Sequence, residues 1–183
     1  MASRTNLAIV GVAVLFGLGG FAASRWLFAP EPRPAVAAVD PAELGERYVD
    51  VQLPDVSGRP RRLSEWDGRP RLVNFWATWC APCVREMPLL DRYAREHPEL
   101  AMIGIALDDP AAAAAFARDL DIGYAILVDT PSATDSSVVH GNRRGVLPFS
   151  VFIDADGVVR AAEAGDFDDA QAIDRFIGQS NAR

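Results

Sequence analysis

Lysine is absent from the 183 residues of this chain, and cysteine and histidine occur only twice each. All 18 basic residues are therefore arginines, and the chain has 25 acidic residues, which gives a net charge of −7. Residues 31–183 hold 16 of the arginines and all of the acids, so this part carries a charge of −9. The balance argues against a nucleic-acid partner, because contacts with phosphates need a basic surface.

The two cysteines, Cys80 and Cys83, are separated by only two residues. A scaffold stapled by disulfides is therefore excluded, because such scaffolds need several well-separated cysteines. A lone close pair is typical of a redox site or of half a metal site. A zinc site would need further ligands, and only His97 and His140 offer imidazole nitrogens. We predict neither a metal nor a cofactor.

Residues 1–28 are predicted to be a signal anchor or a signal peptide. Residues 7–23 contain no charged residue, and Arg4 precedes them. A membrane span takes roughly 17–25 residues and the apolar core of a signal peptide about 7–15, so the length favours an uncleaved transmembrane anchor. Small residues near Ala22 or Ala35 leave cleavage as the alternative. Either interpretation exports the rest of the chain.

The remainder is predicted to be a linker followed by one domain. Prolines recur among alanine and valine in residues 29–45, which predicts a stiff, extended linker. Residues 46–183 alternate apolar strand patterns with helical ones, which predicts an α/β sandwich around a central mixed sheet flanked by helices. We expect short strands or a hairpin within residues 53–66 and a weak helix or turn within residues 131–139. The other predicted strands cover residues 72–76, 101–107, 124–128, 149–153 and 158–162, and the other predicted helices cover residues 80–97, 110–120 and 168–177.

The cysteine pair lies where the first of these apolar strands is followed by a helix. A helix N-terminus offers unpaired N–H groups and a partial positive charge, and both stabilise a thiolate. A cysteine there can have a pKa of roughly 3.5–7.5 instead of about 8.5. We predict that Cys80 is the exposed nucleophile and that Cys83, one turn further, resolves the mixed disulfide. A static disulfide is the alternative, but a loop this small stabilises a fold little.

Two stretches around these positions resemble a known family. VNFWATWCAPCVREMP at residues 73–88 looks like the TlpA/ResA/DsbE branch of the thioredoxin superfamily, and GVLP at residues 145–148 is similar to a later part of the same pattern. The likeness spans about residues 53–165. It implies a thioredoxin-like fold and an anchored or exported reductase, and many members serve cytochrome c maturation or copper-site assembly.

The resemblance also implies roles for individual residues. Pro148 matches a cis-proline that helps to hold the substrate backbone, although trans is the ordinary state of an X–Pro bond. Glu86 matches an acidic residue that follows the cysteine pair, one turn from Cys83, where a carboxyl group exchanges protons or tunes thiol pKa. A solvated helix carboxylate is the alternative for Glu86. Asn74 stands where many thioredoxins carry a buried aspartate, and asparagine cannot titrate.

Three more residues complete the predicted substrate-binding set. Trp79 is expected to shield one side of the Cys80 sulfur and to contact partners, with a plain core tryptophan as the alternative. Pro82 lies between the cysteines and, with the family likeness, favours a reductant. Leu147 precedes the predicted cis-proline and is bulkier than expected, which affects the shape of the substrate groove.

The leading hypothesis is a monomeric reductant of protein disulfides. We expect it in a bacterial inner membrane with its catalytic domain in the periplasm, or exported and soluble after cleavage. A membrane thiol donor would re-reduce it, because soluble reducing pools are absent outside the cytoplasm. An oxidase or isomerase, a metal-binding module and a peroxidase are the alternatives.

Overall fold

The computed structural model describes residues 44–178. The predicted anchor at residues 1–28 and nearly all of the predicted linker lie outside this range. Within it, no helix combines the length and the apolar character that crossing a membrane requires.

A five-stranded mixed sheet forms the centre of the domain, preceded by a small antiparallel hairpin. The hairpin strands are β1 (Gln52–Pro54) and β2 (Pro60–Arg62), and a 3-10 helix follows at Leu63–Trp66. The sheet strands are β3 (Arg71–Trp76), β4 (Ala101–Leu107), β5 (Ala125–Asp129), β6 (Phe149–Ile153) and β7 (Val159–Ala164). Their order is β5–β4–β3–β6–β7, with β3, β4 and β5 parallel and β6 and β7 antiparallel to their neighbours.

Four α-helices connect and cover these strands among the described residues. They are α1 (Ala81–Glu96), α2 (Pro110–Asp119), α3 (Ser136–Val139) and α4 (Ala170–Gly178). The strands of the main sheet and the three longer helices begin and end within two residues of their predicted positions, and the predicted hairpin is present. The predicted mixed sheet flanked by helices is therefore confirmed.

The central strand β3 separates two apolar cores, because successive side chains of a strand point to opposite faces. On one face, Phe75 packs with Leu63 from the N-terminal part of the domain. On the other face, Trp76 packs with Cys83 and Met87 of α1. The cysteine pair is therefore part of the packed layer between the sheet and α1, and it lies at the carboxyl end of the central strand.

Candidate active site

The connection between β3 and α1 places the cysteine pair at the start of the helix. Cys80 is the N-cap of α1, with an extended backbone, and its Sγ accepts a hydrogen bond from the Cys83 N–H at 3.3 Å. Pro82 is half-buried in the first turn, where a missing N–H costs nothing. The cysteines form a disulfide with their Cα atoms 5.3 Å apart. The N-terminus of α1 thus directs the Cys83 N–H at the Cys80 sulfur, and this hydrogen bond would stabilise a Cys80 thiolate in the reduced protein.

The two sulfurs differ in their access to solvent. Cys83 is fully buried, whereas Cys80 is 6% exposed in this oxidised pair. The sequence predicted a more exposed Cys80; in the structure both cysteines belong to one buried apolar cluster, and Leu147 packs against that cluster. Trp79, which precedes Cys80, is 68% exposed, so the alternative of a core tryptophan is wrong.

The Leu147–Pro148 peptide bond is cis, as the resemblance implied. Pro148 is buried, and its carbonyl oxygen accepts a hydrogen bond from the Gly165 N–H at 2.9 Å. Leu147 is half-buried, whereas Val146 before it is 44% exposed. The sequence did not single out Val146, which adds exposed apolar surface to the loop that carries the cis bond.

Asp108, which sequence reasoning missed, holds the loop that precedes the cysteines. Its Oδ2 accepts hydrogen bonds from the Thr78 N–H at 2.8 Å and from the Thr78 hydroxyl at 2.6 Å. Burial alone would raise the pKa of Asp108, but these hydrogen bonds, with one from the Asp109 N–H, bring it below its ordinary value. Asp108 directly follows the buried strand β4, and the carboxyl ends of neighbouring parallel strands meet at one edge. That position was the signal available in the sequence.

Glu86 is buried at the base of the site, with 2% exposure, so the alternative of a solvated carboxylate is wrong. Its Oε1 accepts a hydrogen bond from Asn74 Nδ2 at 2.8 Å, and its Oε2 accepts one from the Phe167 N–H at 2.9 Å. Burial, with a smaller contribution from the charge of Asp166, raises the pKa of Glu86 to about 7, although both hydrogen bonds favour the carboxylate. Glu86 therefore titrates near neutral pH, one helical turn from Cys83.

Asn74 orients this carboxyl group without carrying a charge of its own. It lies opposite Ser150 in the register of β3 and β6, and its Nδ2 also donates to the Ser150 Oγ at 3.1 Å. Asn74 is fully buried. Since an amide does not titrate, the ionisable group that Asn74 contacts is Glu86.

Both histidines lie away from the cysteine pair. His97 is the C-cap of α1, at the opposite end of the helix from Cys80, and it stacks on Tyr93. His140 is buried against Phe75 on the other face of the sheet. Within residues 44–178, no cluster of three or more His, Cys, Asp or Glu side chains is placed to hold a metal ion.

Comparison with known proteins matches the chain to one family and to thiol–disulfide oxidoreductases. The model of the AhpC/TSA family matches residues 44–162. The chain is 26% identical over 160 residues to the thiol–disulfide oxidoreductase ResA of Bacillus cereus, covering 86% of each protein.

Two solved structures from Mycobacterium tuberculosis are similar to this fold. One is a secreted disulfide oxidoreductase homologous to Escherichia coli DsbE, with 25% identity and a TM-score of 0.55, covering 73% of this chain and 96% of that one. The other is the peroxidoxin BcpB, with 26% identity and a TM-score of 0.64, covering 77% of this chain and 97% of that one.

Proposed function

This chain belongs to the AhpC/TSA family and is a thiol–disulfide oxidoreductase of the ResA/DsbE type, and from that premise we propose that it reduces disulfides of exported proteins. The observation that carries the proposal is the Cys80 sulfur at the N-terminus of α1, where it accepts a backbone hydrogen bond. Apocytochrome c or proteins with copper sites are the substrate class that the family resemblance supports.

The proposed cycle begins with the reduced cysteine pair. The Cys80 thiolate attacks one sulfur of the substrate disulfide, which forms a mixed disulfide and releases one substrate thiolate. Cys83 then attacks the Cys80 sulfur, so the second substrate thiolate leaves and the Cys80–Cys83 disulfide forms. Two electrons pass from the pair to the substrate, and Glu86 accepts the proton of the Cys83 thiol.

The substrate is proposed to bind along the surface beside Cys80. The exposed Trp79 offers an apolar ring on one side of the Cys80 sulfur. Leu147 packs against the apolar cluster that contains Cys80. The cis Pro148 and the half-buried Pro82 complete the proposed contact surface.

The location and the electron donor are part of the same proposal. The uncharged residues 7–23 support tethering to a bacterial inner membrane, with the catalytic domain in the periplasm. A membrane thiol protein would then return electrons to the Cys80–Cys83 disulfide, because no soluble reducing pool exists there.

We propose that the protein acts as a monomer.

Peroxide reduction is a second candidate, favoured by the likeness to the peroxidoxin BcpB. A peroxidatic cysteine needs no partner three residues further on, so the Cys80–Cys83 disulfide supports dithiol exchange instead. A peroxide-consumption assay separates the two. Turnover of peroxide as fast as that of protein disulfides would favour the peroxidase.

The direction of electron flow is tested by equilibrating the full-length protein with glutathione buffers. We expect a potential near that of thioredoxin, about −270 mV, and not near that of the oxidant DsbA, about −120 mV. The fluorescence of Trp79, adjacent to the pair, offers a signal, and Cys80→Ser should show no transition. A potential at the oxidising end would reassign the protein as an oxidase.

A further inference from the structure

A short segment, Gly165–Phe167, follows β7 and passes between two parts of the site; we name it the strap. We propose that Asp166 is a positioning residue whose ion pair with Arg85 holds the strap in contact with both Glu86 and Pro148. This inference rests on the proposed role of Glu86 in the reductase, and it adds a group that acts through Glu86 without touching the cysteines.

Two backbone N–H groups of the strap reach the two parts of the site. The Gly165 N–H donates to the Pro148 carbonyl oxygen at 2.9 Å, and the Phe167 N–H donates to Glu86 Oε2 at 2.9 Å. Gly165 has a φ of +127°, a conformation that favours glycine. The course of the backbone at the strap therefore decides whether both donors reach their acceptors.

The ion pair lies between these two hydrogen bonds and ties the strap to α1. Arg85 Nη2 lies 3.0 Å from Asp166 Oδ2, with the two side chains 65% and 34% exposed. Arg85 directly precedes Glu86 in α1, and Asp166 directly precedes Phe167 in the strap. An exposed ion pair contributes little to global stability. This pair, however, joins the residue beside the acceptor Glu86 to the residue beside the donor Phe167.

Several titratable or charged groups face Glu86 from the elements around it. Cys83 lies one turn earlier on α1, and Asp166 faces Glu86 from the strap. Tyr124, directly before β5, is half-buried, and burial, helped by the charge of Glu86, raises its pKa. Arg85 offsets the charge of Asp166.

Asp166 acts on Glu86 in two opposing ways. Its negative charge raises the pKa of Glu86, whereas the Phe167 N–H on the strap lowers it by donating to the carboxylate. If charge alone mattered, removing the charge of Asp166 would lower the pKa of Glu86. If Asp166 fixes the strap, the same change raises the pKa, because the carboxylate loses its donor.

The variant Asp166→Asn separates the two effects. We expect the midpoint of the pH profile for single-turnover disulfide reduction by the full-length protein to rise by about half a pH unit. Arg85→Gln should raise it similarly, and the charge-swapped variant Arg85→Asp with Asp166→Arg should restore the wild-type midpoint. A purely structural role would change the rate but not the midpoint.

The matched control is Arg160→Gln, which removes another exposed ion pair, between Arg160 and Asp154 at 2.6 Å, and should leave the midpoint unchanged. A lower or unchanged midpoint in Asp166→Asn would overturn the inference. Glu86→Gln shows which proposal has failed. If Glu86→Gln keeps the wild-type pH profile, the proposed role of Glu86 is wrong. If Glu86→Gln loses the midpoint of the profile but Asp166→Asn does not change it, only the proposed role of the strap is wrong.

Discussion

Cys80→Ser is expected to abolish the reduction of insulin by dithiothreitol-charged protein. A serine hydroxyl does not ionise near neutral pH and cannot form a disulfide, so no mixed disulfide with the substrate can arise. The substitution replaces one sulfur by one oxygen at the N-cap, where serine is among the preferred residues, so the fold should persist. Turbidity from precipitating insulin B chain measures the loss, and circular dichroism checks the fold.

Cys83→Ser should behave differently, because attack by Cys80 remains possible while resolution does not. We expect substrate proteins to accumulate as mixed disulfides on Cys80, visible as adducts on non-reducing gels that dithiothreitol removes. The double variant Cys80→Ser with Cys83→Ser is the control and should form no adducts. Full insulin reduction by Cys80→Ser, or mixed disulfides that Cys80→Ser forms through Cys83, would contradict the assigned order of the two sulfurs.

The second large effect is expected from Glu86→Gln, which keeps the size of the side chain but removes its ionisation. Wild-type Glu86, with a pKa of about 7, is protonated below that pH and accepts a proton only above it. The rate of resolution should therefore rise in the wild type as the pH passes about 7. In Glu86→Gln we expect a rate about 10²-fold lower above this pH and loss of the inflection that belongs to Glu86, since a general base contributes about that factor.

Stopped-flow mixing of reduced protein with a disulfide peptide measures this profile. Glu96→Gln is a matched control, because Glu96 lies on the same helix and is exposed. It should follow the wild-type curve. An inflection near pH 7 that survives in Glu86→Gln would show that the titrating group is another residue.

The elements of the fold were predictable because most are buried on a regular pattern. Ala101–Leu107 is buried at every position, and Ala81–Glu96 is apolar on one face, so periodicity and length separate strand from helix. The cis bond at Pro148 was predicted from the family resemblance, since composition alone favours trans.

The contacts that define the base of the site were less predictable. The three-residue spacing of Cys83 and Glu86 places both on one side of a helix, but nothing in it reveals the amide of Asn74 on the neighbouring strand. The Phe167 donor lies 81 residues from Glu86 in the chain and is a backbone group, so no side-chain pattern marks it. The strap depends on tertiary packing that local rules do not encode.

The central requirement is a Cys80 thiolate stabilised by the N-terminus of α1, and its alkylation rate tests this most directly. The full-length Cys83→Ser protein isolates the Cys80 thiol, which is reacted with iodoacetamide across pH 5–9. We predict that Cys80 reacts faster than free cysteine at neutral pH, with a midpoint below the ordinary cysteine pKa of about 8.5. A rate no faster than that of free cysteine, with an ordinary midpoint, would contradict the proposed mechanism.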